Sequence, residues 1–232
     1  MPNTNFREAG RSHTSLLAAA EKRTLIRMAQ RLPLWVNSDH LTALGFGSLV
    51  AAGACYWFAR WNPLWLLCVI PCLALNWFGD SLDGTLARVR NQQRPRYGFY
   101  VDHILDAIGT VFLLSGLAFS GYMSPAFAYG FLVVYLLLSI EIHLAAYTVG
   151  KFHLSYWSFG PTELRILLGV GNLALLRDRY VAIAGHRARL FDLGFTIGAI
   201  ALSVILVQAV VRHTVMLYRE ETRPASQARP TS

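Results

Sequence analysis

Four aspartates stand where an apolar chain has little reason to carry them. The sequence reads Gly79-Asp80-Ser81-Leu82-Asp83-Gly84-Thr85-Leu86-Ala87-Arg88 and, after a short basic connector, Gly98-Phe99-Tyr100-Val101-Asp102-His103-Ile104-Leu105-Asp106. On a helix, Asp80, Asp83, Gly84 and Ala87 fall at i, i+3, i+4 and i+7 and share one face. Gly98, Asp102 and Asp106 recur at i, i+4 and i+8 and share another. The connector, 89–97, folds the two helices into a hairpin, which gathers the four carboxylates at one depth. Bare carboxylates so placed repel one another, and a charge at membrane depth costs at least ~2.5–3.5 kcal/mol. Oxygen-only ligands suit a hard cation such as Mg²⁺ or Mn²⁺. Four carboxylates suffice for two such ions about 3.5–4 Å apart, the arrangement used for displacement at phosphorus. Gly84 and Ala87 leave space for a ligand on the Asp80–Asp83 face, and Arg88 at its end is placed to meet a phosphate. The competing reading, aspartates that pair with arginines and fix helix packing, suits one Asp at a helix end better than four at these spacings.

The elements that must hold these groups follow from composition. The chain has 232 residues, of which 54% are hydrophobic and 15% charged, against about a quarter charged in soluble domains. That excludes a disordered chain. Cys55, Cys68 and Cys72 lie inside apolar runs, which excludes a disulfide scaffold. The apolar residues come in blocks of about 20, enough to cross ~30 Å of hydrocarbon. The fold expected is therefore all-α, a polytopic membrane protein with six transmembrane helices at 41–59, 64–88, 99–121, 125–149, 162–177 and 192–216. An amphipathic juxtamembrane helix precedes them at 13–32. Its apolar face carries Leu25, Met28, Ala29 and Leu32, and Arg23, Arg27 and Arg31 lie on another. Such a helix lies in the headgroup plane or docks on protein. The organisation expected is a basic segment at 1–40 without a signal peptide, a catalytic membrane domain at 41–217 and a polar tail at 218–232.

Net charge of +8 points to anionic lipid headgroups and away from nucleic acid. With the N-terminus in the cytoplasm, sixteen of the 21 Lys and Arg fall on the cytoplasmic side, as the positive-inside rule asks. The active site then faces the cytoplasm from the inner membrane. The loop at 177–189 argues locally against this, with Arg177, Arg179, Arg187 and Arg189 on the other side.

The string Asp80-x2-Asp83-Gly84-x2-Ala87-Arg88-x9-Gly98-x3-Asp102-x3-Asp106 resembles the signature of the CDP-alcohol phosphotransferase (CDP-alcohol phosphatidyltransferase) family, with a spacer one residue longer than the commonest form. The resemblance implies that Asp80, Asp83, Asp102 and Asp106 ligate two divalent cations, Mg²⁺ or Mn²⁺. It implies that Asp106 is also the general base on the acceptor hydroxyl. Gly84, Ala87 and Arg88 would border the cytidine diphosphate. The family often has Pro-Asn-x-Leu-Thr entering the first span. Here it reads Ser38-Asp39-His40-Leu41-Thr42, so Thr42 and Asp39 are candidate nucleotide contacts, Asp39 departing from the pattern. The implied reaction transfers a substituted phosphate from a CDP-linked donor, with CDP-diacylglycerol foremost, to an alcohol hydroxyl, and CMP leaves.

Arg165 and Lys151 are candidates for binding the acceptor, because related enzymes with phosphorylated polyol acceptors place basic residues in this region. Arg165 equally suits an ion pair with Glu141 or Glu163. The partners expected are the CDP-linked donor, a small alcohol or polyol phosphate and membrane lipids, with room for a homodimer. Two alternatives stay open: a CDP-choline or CDP-ethanolamine donor with a lipid alcohol, and a cation transporter built on intramembrane Asp.

Overall fold

The computed structural model describes residues 16–149, 161–183 and 186–221. Among the described residues seven helices follow one another: α1 (Leu16–Arg31), α2 (Ser38–Ala59), α3 (Trp65–Val89), α4 (Pro95–Phe119), α5 (Pro125–Val149), α6 (Pro161–Arg177) and α7 (Leu190–Glu220). Between α6 and α7 lie strands β1 (Tyr180–Ile183) and β2 (His186–Arg189). Lys151 lies outside the described residues, as does most of the tail expected from 218.

Among the described residues five helices, α2, α3, α4, α5 and α7, are long and apolar enough to cross a membrane. The sixth expected span is α6. Its 17 residues rise about 25 Å, short of the ~30 Å hydrocarbon core. It lies along α3 and reaches the α4–α5 turn. Arg165 near its start meets Asp80 on α3. Asn172 further along accepts from Tyr56 of α2 at 2.9 Å. Arg179, just past its end, stacks on Tyr122 at the α4–α5 turn.

Lipid is the solvent that the outer faces fit. On α5, Val133, Leu137, Ile140 and Leu144 are exposed at i, i+4, i+7 and i+11. On α7, Ile197, Ile200, Val204, Val207 and Val211 repeat the stripe. Water would not tolerate two continuous apolar faces of this length, so the chain is an integral membrane protein.

Small residues bring the inner helices together, as they do where the hydrophobic effect between helices is absent. A Cβ on Gly116 of α4 would lie 1.9 Å from the Gly53 carbonyl of α2, and one on Gly79 of α3 would lie 2.5 Å from the Leu41 carbonyl. These contacts fix α2 between α3 and α4. Polar pairs fix α5 beside α7: Ser124 donates its N–H and hydroxyl to Asp192 at 2.7 and 2.6 Å, and His213 Nδ1 meets Glu141 Oε1 at 2.6 Å.

Two features differ from the expected organisation. The apolar residues Leu25, Met28, Ala29 and Leu32 of the α1 segment pack on Leu82, Leu86 and Val89 of α3. The amphipathic face is spent on protein, while Arg23, Arg27 and Arg31 stay exposed. The 177–189 loop is an antiparallel hairpin, with Tyr180 opposite Arg189 and Val181 opposite Ala188. The run Tyr-Val-Ala-Ile has the aromatic and β-branched content that favours a strand.

Candidate active site

The hairpin of α3 and α4 carries the acidic residues to one end of the bundle. Pro95 at the start of α4 supplies no N–H where none is needed. Four residues later than Gly98 comes Asp102, and Asp106 follows one turn on. Asp80, Asp102 and Asp106 each bring a carboxylate oxygen within 4.8 Å of the others. All three side chains are half-buried. This donor set is oxygen-only, which fits a hard divalent cation.

Asp83 is not in that trio. It is buried, and Thr42 of α2 donates to its Oδ2 at 2.8 Å. The Gly84 N–H donates to Oδ1, and Ser38 donates to the Asp83 carbonyl at 3.0 Å. The four carboxylates expected at one point are thus three together and one tied to α2. Thr42, expected at the nucleotide, has two acceptors within reach of its hydroxyl, Asp83 Oδ2 at 2.8 Å and the Ser38 carbonyl at 3.1 Å.

Gly84 lies under the Arg88 guanidinium: a Cβ there would stand 3.5 Å from Arg88 Nη1. Arg88 is exposed and reaches back to Thr85 Oγ1 at 3.2 Å. Ala87 is half-buried beside it. Asp39 sits in the first turn of α2 and forms an ion pair with Arg94, the last residue of the α3–α4 connector. The hydrogen bond that Arg94 donates to Asp39 raises the guanidinium pKa above its ordinary value.

Arg165 does not pair with Glu141, which is taken by His213. Its Nη2 donates to Asp80 Oδ2 at 2.7 Å, and its Nε donates to Asn76 Oδ1 at 2.7 Å. Asn76 in turn donates to the Gly45 carbonyl at 3.1 Å.

Two contributors escaped the sequence reading. Asn76 stands four residues before Asp80, so the helical period that joins the aspartates includes it. In the sequence Arg90 reads only as one of the charges of the basic connector. Its guanidinium donates to the carbonyls of Leu32, Pro33, Leu34 and Val36. It thereby fastens the α1–α2 link to the end of α3.

No curated protein gives a significant match to the chain. The family model for CDP-alcohol phosphatidyltransferase matches residues 35–217, a stretch that begins just before α2 and ends within α7. With the Asp80–Asp106 signature inside that stretch and its carboxylates converging, the chain belongs to the CDP-alcohol phosphatidyltransferase family and is a transferase.

Proposed function

We propose that this chain transfers a phosphatidyl-type group from CDP-diacylglycerol to the hydroxyl of a small polar alcohol or polyol phosphate, in phospholipid synthesis. The observation that carries the reading is the convergence of Asp80, Asp102 and Asp106 towards the connected end of the α3–α4 hairpin. Asp80, Asp102 and Asp106 would hold divalent cations there, Mg²⁺ or Mn²⁺, with Asp83 the fourth carboxylate of the signature. Bound cations would neutralise the diphosphate and the charge that develops on it.

The chain's own groups do the rest. Asp106 accepts the proton of the acceptor hydroxyl, since an alcohol is a poor nucleophile at neutral pH. The acceptor oxygen then bonds to the β-phosphorus, the bond to the bridging oxygen breaks, and CMP leaves. Arg88, exposed at the end of the same face, takes part of the phosphate charge, and Gly84 and Ala87 leave room for the nucleotide. Asp39 and Thr42 stand at the start of α2 as further nucleotide contacts. Lys151 and Arg165 remain acceptor candidates, although two donors of Arg165 are already engaged.

In this reading α6 is the sixth span, and α1 and the α3–α4 connector face the cytoplasm, where CDP-linked substrates are made. The deciding experiment incubates purified protein with CDP-diacylglycerol labelled in its cytidine, across a panel of alcohols and polyol phosphates. CMP release that depends on one acceptor class is the result expected. Release only with CDP-choline or CDP-ethanolamine and diacylglycerol would reverse the donor assignment. No release with any pair would refute the proposed reaction.

A further inference from the structure

We propose that Asn76 and Arg165 are positioning residues for Asp80, and that they set how tightly the carboxylate cluster holds a divalent cation. The inference rests on the metal-dependent reading above. Asn76 is 1% exposed. A buried amide without partners is costly, yet both ends of this one are used: Nδ2 on the Gly45 carbonyl and Oδ1 on Arg165. Its buried neighbours on α3 are Leu73, Gly79 and Leu82. Packing alone would accept a leucine there, so the amide answers to Arg165 and to the α2 backbone.

Arg165 is gripped at two points. Nε goes to Asn76 and Nη2 to Asp80, each at 2.7 Å. Two contacts fix the plane of a guanidinium, which one contact to a lysine ammonium cannot do. The fixed guanidinium takes Asp80 Oδ2, and among the described residues Asp80 Oδ1 accepts no hydrogen bond. Outer hydrogen bonds of this kind orient ligating carboxylates.

Arg165 has an opposite possible effect, competition with the cation for Asp80. The geometry favours orientation. Swinging Arg165 away would strand the buried Asn76 oxygen. The three carboxylates also converge within 4.8 Å with Arg165 in place.

The two effects predict opposite signs. Removing a positive charge beside the cluster would by Coulomb's law tighten cation binding. Losing an orienting contact weakens it, typically 10–100-fold. The test is Mn²⁺ titration of the full-length protein in detergent, read by electron paramagnetic resonance, for wild type, N76L, R165Q, R165K and N76L/R165Q. Each single variant is expected to bind Mn²⁺ about 10–100-fold more weakly. The double variant should be no worse than the worse single, because both act through one carboxylate. R165K keeps the charge and the fold but not the fork, so it decides the matter if N76L does not fold.

Melting in EDTA separates this role from plain stability. A merely structural residue would lower the melting temperature and leave Mn²⁺ affinity of the folded protein unchanged. Variants that bind Mn²⁺ as wild type does, or more tightly, would overturn the inference and leave the metal reading standing. Wild type that binds no Mn²⁺ would overturn both.

Discussion

Thr42 on α2 and Asp83 on α3 are joined by a 2.8 Å hydrogen bond, 41 residues apart in sequence. The bond ties the start of the first long helix to the second aspartate of the signature. It also explains why Asp83 stands apart from the trio of Asp80, Asp102 and Asp106. Replacing Thr42 by valine keeps its shape and removes the donor. T42V should lose about 1–2 kcal/mol of stability, read as a lower melting temperature in detergent, and T42S should recover most of it. Equal melting of T42V and wild type would show that the bond carries no stability.

Metal removal is the most direct check on the carboxylate cluster. EDTA should abolish CMP release, and Mg²⁺ or Mn²⁺ should restore it. Asp80→Asn and Asp102→Asn should each lose most activity while still inserting into membranes. Full turnover in excess chelator would sink the metal-dependent mechanism.

A base and a ligand differ in what they do before the acceptor arrives. Asp106→Asn should lower turnover about 10²–10⁴-fold while largely sparing affinity for the CDP-linked donor at saturating Mg²⁺. Asp80→Asn should weaken donor binding as well. If both variants lose donor affinity equally, Asp106 is chiefly a ligand and the proton leaves by another route.

Gly84→Leu places a bulky side chain against Arg88, whose Nη1 would already be 3.5 Å from a Cβ. Donor affinity should fall at least tenfold, with Mn²⁺ binding unchanged. Unaltered affinity for CDP would move the nucleotide off this face.

Topology is open to cysteine labelling in a background where Cys55, Cys68 and Cys72 are replaced. Gln93 in the α3–α4 connector and Arg187 in the hairpin are both exposed and lie at opposite ends of the bundle. A membrane-impermeant maleimide added to intact cells should label R187C and not Q93C. The reverse pattern would turn the site away from the cytoplasm.

The sequence alone determined the features that follow from local periodicity. Runs of apolar residues of membrane length placed α2, α3, α4, α5 and α7 to within a few residues of their observed bounds. The helical repeat set the aspartates on shared faces, because a period of 3.6 residues needs no knowledge of neighbours. The eight-residue signature did the same for the family. Tertiary structure decided which groups of different helices meet. Arg165 had Glu141, Glu163 and a substrate phosphate to choose from. It found Asp80 and Asn76, because α6 packs on α3 and Glu141 was taken by His213 across the α5–α7 contact. The destination of α1 was settled in the same way. An apolar stripe meets either lipid or protein at similar gain, and here the face of α3 that carries Leu82 and Leu86 completed it. Thr42 is the sharpest case. A hydroxyl at a helix start is compatible with a nucleotide or a neighbouring carboxylate, and only the close approach of α2 and α3, through Gly79 against Leu41, put Asp83 within its reach.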